Sequence, residues 1–362
     1  MATLYKIVPA LACTLFVVQI GLAQEHHMSK TVKKTFPLTD TGELILENKY
    51  GNVTITGWDN DEVSIEMEIK VNHRKRDKAE NLLSRIRPDI NSGRSFVSIR
   101  SEINDRNTGW FADFFNRTNP IDFDRSHVEI DFEVFLPKKS KLNITNRFGD
   151  VFIEDWNGEL RVLMEHGSLW LNEDLNKSDI ILKFGKIRAK NMKYSSVNIK
   201  NGELNMGNAK SLRLNTSGTE MKIGTVNSLE VYSNKDDIVI DEVGTIYGSL
   251  KFTTLTLEHL AQDVDLTMKI TDFKVKHISM PETEISIEQE SSDIDIRTTD
   301  FSHRFNATLE QGVLRLPKSF QNVASKMLDK SKKLRKIEAT YGKGKAGSIS
   351  IKGIKGIITL RE

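Results

Sequence analysis

The chain has 362 residues, with 52 Lys and Arg against 50 Asp and Glu, for a net charge of +2. A balance this even argues against a dedicated nucleic-acid binder, whose basic excess is large and concentrated. With 38% hydrophobic and 28% charged residues, 7 Pro and 22 Gly, the sequence is not low-complexity, and it is long enough for two ordinary domains or one long repeat array.

The first residues read as a targeting segment. Lys6 supplies a positive start, Ile7 to Leu22 form an almost uncharged apolar run, and Gly21-Leu22-Ala23 makes a small-x-small cleavage site. Residues 1–23 are therefore expected to be a signal peptide, which places the rest in the periplasm, on the outer surface or outside the cell. The single cysteine, Cys13, falls inside this segment, so the exported chain is expected to carry no disulfide, no thiol chemistry and no Cys-ligated metal. No later stretch stays apolar for long enough to make a membrane-spanning helix.

Residues 24–140 read as a strand-rich N-terminal module. Leu44-Ile45-Leu46 leads into a phrase at 48–58, and Val63, Ile65, Met67, Ile69 and Val71 then alternate with polar residues, the mark of a strand with one buried face. Ala79, Leu82, Leu83 and Ile86 recur at helical spacing, so a short helix is expected near 77–87, ended by Pro88. Strand patterns resume at 96–100 and 128–136, and Pro137-Lys138-Lys139-Ser140 marks a turn and a boundary.

The phrase Asn48-Lys49-Tyr50-Gly51-Asn52-Val53-Thr54-Ile55-Thr56-Gly57-Trp58 returns as Asn146-Arg147-Phe148-Gly149-Asp150-Val151-Phe152-Ile153-Glu154-Asp155-Trp156, at an offset of 146 − 48 = 98. In each copy an aromatic residue precedes Gly, apolar side chains alternate, and Trp closes the unit, which reads as turn, strand, turn. The second copy opens a series of apolar-x-apolar pairs, from Val151/Ile153, Leu160/Val162, Leu169/Leu171 and Ile180/Leu182 onward to Ile238/Ile240. Gly149, Gly167, Gly185, Gly202 and Gly218 come with every second pair, giving a unit of about 16–18 residues with two short strands. So short a period favours a coil of stacked turns over hairpins or a barrel. The expected fold is all-β: a single-coil parallel β-solenoid over 141–300, then a C-terminal β segment over 301–362 with a Lys-rich helix or loop at 318–336. A coil has two open ends, and the helix around Leu82 and the segment around Met327 are expected to cover them.

The order of these features resembles the secreted bacterial β-repeat proteins described as candidate adhesins, a family largely of unknown function. The residues that carry the resemblance are the two phrases, the strand ending in Val71, the helix of Ala79 to Arg87, Val134-Phe135-Leu136-Pro137-Lys138, Thr340-Tyr341-Gly342-Lys343-Gly344 and Gly356-Ile357-Ile358. It spans nearly the whole chain after residue 23. It implies a β-repeat fold and, by fold-level analogy, an adhesin-like role. The family pattern has no catalytic positions to carry over.

No nucleophile elbow, phosphate-cradling loop, His-Glu-x-x-His or calcium-hand loop occurs, so no catalytic residue, cofactor or metal is expected. The eight His are scattered. Carboxylates that could serve a polysaccharide-cleaving enzyme from an outer face are Asp150, Glu154 and Asp155; Asp236, Asp237, Asp241 and Glu242; and Asp293 and Asp295, which bracket Ile294 and are expected to point outward.

Two candidate binding groups stand out. Trp110, Phe111, Phe114 and Phe115 form an aromatic cluster between turn signals, either a partner site or a core plug. Lys332, Lys333, Arg335 and Lys336 lie in a basic run suited to an anionic envelope glycolipid or polysaccharide, or to an ordinary solvated face. Gly51 and the glycines of the array, with Trp58 and Trp156, are read as structural. Together these features point to a non-catalytic, secreted or cell-envelope interaction protein, adhesin-like, presenting extended faces to a cell-surface glycan or envelope component. The alternatives are a carbohydrate-active enzyme using outward carboxylates and a structural envelope protein.

Overall fold

The computed structural model describes residues 26–103, 128–344 and 346–362. Residues 1–23 and the aromatic residues Trp110, Phe111, Phe114 and Phe115 lie outside these. The fold is all-β with one helix, and the strands join in one open, mixed sheet. The first strands are β1 (His26–Pro37), β2 (Glu43–Tyr50), β3 (Val53–Trp58) and β4 (Glu62–His73); helix α1 (Arg76–Arg85) follows, then β5 (Ile86–Ser92) and β6 (Phe96–Ile103). Next come β7 (Val128–Pro137), β8 (Lys141–Phe148), β9 (Val151–Glu154), β10 (Glu159–Leu171), β11 (Leu175–Ala189), β12 (Met192–Met206), β13 (Ala209–Asn234) and β14 (Asp237–Lys251). The remainder are β15 (Thr254–Leu260), β16 (Val264–Lys269), β17 (Asp272–Val275), β18 (Glu284–Glu290), β19 (Asp293–Arg297), β20 (His303–Glu310), β21 (Val313–Arg315), β22 (Gln321–Asp329), β23 (Leu334–Tyr341), β24 (Gly347–Ile354) and β25 (Ile357–Arg361).

The repeated phrase is a stacking register. β2 pairs in parallel with β8, Leu44 beside Leu142 and Tyr50 beside Phe148, and β3 pairs with β9, Val53 beside Val151. The partners are the aligned residues of the two phrases, so the offset in the sequence is the offset between neighbouring strands. β8 and β9 pair in turn with the two halves of β10, and β10 to β14 follow in parallel. Val162 lies beside Ile180, Ile180 beside Val197 and Val197 beside Leu214, so the step is 18, 17 and 17 residues. The parallel rungs continue through β15 to β19.

Alternate residues of a strand face opposite sides, which sends both members of each apolar-x-apolar pair inward. Leu160, Val162, Leu169, Leu171, Ile180 and Leu182 are all buried, and only Ala189 among the pairs is partly so. A further inward column was not visible as pairs: Leu175 beside Met192, Val226 beside Val243 and Leu260 beside Ile278, all buried. One hydrophobic core runs from Leu38 to Leu360.

The corners explain the motif. Asn48 and Asn146 are buried, and the Asn146 carboxamide donates to the carbonyls of Gly149 (3.0 Å) and Gly51 (3.2 Å). Tyr50, Phe148, His166 and Phe184 stack in a column with centroids 5.6, 5.2 and 5.0 Å apart. Gly51 and Gly149 have φ of +119° and +141°, which a side chain rarely adopts. Gly167, Gly185 and Gly202 need glycine for another reason. There the left-handed residue is the one before, His166, Phe184 or Asn201, with φ of 57°, 56° and 52°. A Cβ on Gly202 would stand 2.5 Å from the Gly185 carbonyl oxygen, so close approach of rungs selects the glycine. Gly218 occupies the left-handed position itself, at φ +66°.

The two tryptophans diverge. Trp58 lies on the outer side of β3, its Nε1 donating to the Glu62 carbonyl at 2.8 Å and its ring 5.5 Å from Phe135. Trp156 is fully buried, because the chain turns at Asp155 (φ 54°) and carries the ring inward.

Antiparallel strands close both ends, which is where the fold departs from an all-parallel array. At one end β6 and β7 stack on β2 and β3; β5 then runs antiparallel on β6, β4 on β7 and β1 on β4. Helix α1 packs there against β4 and β1, with Ala79 buried and Leu82 and Leu83 partly so. The helix ends at Arg85, and Pro88 lies within β5, on a strand whose only described partner is β6, where a missing N–H is tolerated.

At the other end the chain order is inverted. β24 and β25, last in sequence, sit between β18/β19 and β20/β21. β23 runs antiparallel on β20, and β22 antiparallel on β23. Residues 318–336 therefore form most of a hairpin, not the expected helix or loop. Register shifts between Gln321 and Ala324 and between Met327 and Asp329 break the period-two alternation and leave a spacing that imitates a helix. Phe301, His303, Phe305, Phe320 and Tyr341 pack ring against ring and fill this end of the core.

Candidate functional site

The carboxylates proposed for an enzyme are not gathered. Asp150 accepts the Ser168 N–H at 2.8 Å, as Asn52 accepts that of Asp150 (2.9 Å) and Asp131 that of Asn52 (2.8 Å), so this column caps backbone from rung to rung. Asp236 does not point outward: it is buried and accepts the hydroxyls of Thr216 and Ser233, each at 2.6 Å, and the Thr219 N–H at 2.7 Å. Asp295 is held by Arg361 at 2.7 Å, and exposed Asp293 stands beside Asp272. On the outer faces acids meet bases one rung away. Lys177 is 2.5 Å from Glu159 and Lys186 is 2.6 Å from Glu203, and these hydrogen bonds hold both carboxyls below the usual range. Two histidines do meet: His259 and His277, 18 residues apart in sequence, lie edge-on with centroids 5.5 Å apart. Among the described residues no group of three or more His, Cys, Asp or Glu could hold a metal ion.

One outer face collects a distinct chemistry. The residues of β11 to β14 that alternate with the buried pairs face outward, and parallel register lines them up across the strands. Asp179, Ser196 and Arg213 form one row, Asn198 and Asn215 lie in the next, and Glu230 and Tyr232 continue beside Tyr247 and Ser249. Tyr194, Tyr232 and Tyr247 are exposed, at 40%, 40% and 42%. Arg213 ties the cluster together, with its guanidinium 3.3 Å from Glu230 and 5.9 Å from the Tyr232 ring centre. Lys193 and Lys210 stand 5.5 and 5.7 Å from the centre of the Tyr194 ring. The hydrogen bond from the Tyr232 hydroxyl to Glu230 raises the pKa of the tyrosine. The result is an open plate of ring faces, one guanidinium, two carboxylates and two carboxamides. Ring faces take up C–H surfaces, while planar amide, guanidinium and carboxylate groups take up hydroxyls with fixed geometry. Its mark within any one strand repeat is no more than a tyrosine at a polar position.

The basic residues singled out in the sequence lie together on the terminal hairpin. Lys332 and Lys333 are in the turn between β22 and β23, and Arg335 and Lys336 are on β23. Asp329 builds the turn, accepting the Ser331 N–H (2.8 Å), the Ser331 hydroxyl (2.7 Å) and the Lys332 N–H (3.3 Å), and its pKa is lowered by those donors, the hydroxyl foremost.

No family model matches the chain, and no curated protein matches it. Solved structures resemble it at low identity. A candidate adhesin from Parabacteroides merdae is 12% identical, covering 74% of this chain and 92% of its own, with a TM-score of 0.34. A candidate adhesin from Parabacteroides distasonis is 9% identical, covering 74% and 93%, with a TM-score of 0.30. A candidate cell adhesion protein from Clostridium sporogenes is 12% identical, covering 92% and 99%, with a TM-score of 0.19. Among the described residues no helix is long and apolar enough to cross a membrane.

Proposed function

We propose that this chain is an exported, non-catalytic, adhesin-like binding protein. Its parallel rungs form a single-coil β-solenoid of about 17 residues per turn, and the plate on β11 to β14 recognises a cell-surface glycan. The constant 17- to 18-residue register supports the coil, since each rung presents its outward residues in line with the last. The observation that carries the glycan reading is exposed Tyr232 and Tyr247 beside the Arg213–Glu230 pair, with exposed Tyr194 on the same face. Such a plate suits a binder: it is open, mixed in charge, and lacks the enclosed pair of carboxylates that sugar hydrolysis uses. The test is a glycan array probed with the wild-type chain and with a Tyr232→Ser/Tyr247→Ser variant. Both rings are exposed, so the variant keeps its fold, checked by circular dichroism. Binding of a glycan class that the variant loses supports the proposal; wild-type binding to none of the glycans, or equal binding by both chains, rejects it.

A further inference from the structure

The terminal hairpin combines two properties. The first is charge. Residues 318–343 contain eight Lys and Arg against two acids, in a chain whose net charge is only +2. Lys326 on β22 lies directly across from Lys336 on β23, an opposition that weakens an isolated strand pair. Glu338 is 2.7 Å from Lys336, but among the described residues no ion pair holds Lys326, Lys330, Lys332 or Lys333. The second property is exposed aliphatic surface. Val323, Met327 and Leu328 on the same strand are 57%, 40% and 48% exposed. Met327 lies across from Arg335, and Val323 falls within a register shift; both stay exposed because β22 pairs only with β23 among the described residues. The turn between the two strands is not loose, because Asp329 fixes it with three hydrogen bonds and leaves its lysines projecting.

We infer that the β22–β23 hairpin docks on an anionic lipid surface, with the turn lysines meeting headgroups and Met327 and Leu328 entering the acyl boundary. Charge complementarity selects this occupant. Cations flanking exposed aliphatics bind anionic bilayers by adding electrostatic attraction to apolar burial. A second copy of the same hairpin would set eight cations against eight, which argues against self-pairing along the free edge of β22.

The test is flotation of the full chain with vesicles of phosphatidylcholine alone and of phosphatidylcholine mixed with phosphatidylglycerol. Residues 1–23 are common to every variant, so the differences between chains report the hairpin. The wild type is expected to prefer mixed vesicles by about tenfold or more, and to lose that preference as salt rises. Lys332→Glu/Lys333→Glu is expected to weaken binding to mixed vesicles by about tenfold or more. Met327→Ser/Leu328→Ser is expected to weaken it by a similar factor while keeping the salt dependence. All four residues are exposed, so both variants retain wild-type melting curves. Equal affinity for the two vesicle types overturns the inference, as does wild-type binding by either variant. So does a dimer, seen by sedimentation velocity and lost in the variants, in a chain that binds no vesicle.

Discussion

Gly167 lies one rung from Gly149, and a Cβ on Gly167 would stand 2.0 Å from the Gly149 carbonyl oxygen. Gly185 stands in the same relation to Gly167, at 1.9 Å. Gly185→Ala must therefore push two rungs apart, at a cost of about 1–3 kcal/mol. Gly312→Ala, whose nearest neighbour would be 3.2 Å away, is the control. Urea midpoints of the two variants should separate clearly; equal midpoints would remove close approach as the reason for the glycine column.

Asn146 fastens the corner of the second phrase through Gly149 and Gly51. Asn146→Ala takes that donor from two partly buried carbonyls, of which Gly51 keeps the Asn48 carboxamide, and is expected to cost about 1 kcal/mol. Thermal melting followed by circular dichroism measures it, and an unchanged midpoint would show that the carboxamide is dispensable.

Asp236 is a buried carboxylate satisfied by hydroxyl and amide donors. Asp236→Asn turns an acceptor of hydrogen bonds partly into a donor facing other donors. The expected loss is about 2 kcal/mol or more, since bonds to a charged acceptor exceed neutral ones. A Thr216→Val variant should lose less, as only one donor goes; the reverse ranking in denaturant titration would contradict this account.

His303 is buried among Phe301, Phe320 and Tyr341, its Nδ1 2.7 Å from the Phe301 carbonyl and its Nε2 without a hydrogen-bond partner among the described residues. Burial pushes its pKa below the ordinary value, opposed only by the Phe301 carbonyl. The unfolded chain therefore takes up this proton first. Stability from this group is whole above pH about 6.5 and declines as pH falls through that value toward the folded-state pKa. His303→Phe should flatten the slope of stability against pH in this window. A slope unchanged by the substitution would place the proton uptake elsewhere.

Much of the architecture could be read from residue spacing because two regularities coincide. Strand alternation marks the inward pairs, and the offset between the phrases is the stacking register itself. What escaped has physical causes. Leu175, Met192 and Val226 are lone inward residues at corners, so no alternation marks them. Bulges in β22 break its period and leave Val323, Met327 and Leu328 at spacings that read as a short helix or a loop. Trp58 and Trp156 align in sequence, but a left-handed Asp155 sends only the second inside. The tyrosine plate depends on four strands lying in register, which no single stretch of sequence displays. The inverted order at the C-terminal end is a matter of which strands meet, and nothing in the local pattern of β24 or β25 specifies it.

That inversion constrains how the molecule is made. The layer holding Phe301, His303 and Phe305 is seated on residues 347–361, which are made after it. Until they arrive, the segments on either side of the gap have no surface to close against. Assembly can therefore proceed from the beginning of the chain through β19 and must then pause. β24 and β25 lock in like a keystone, so a polypeptide lacking them would forfeit the whole layer seated on them and not merely two strands.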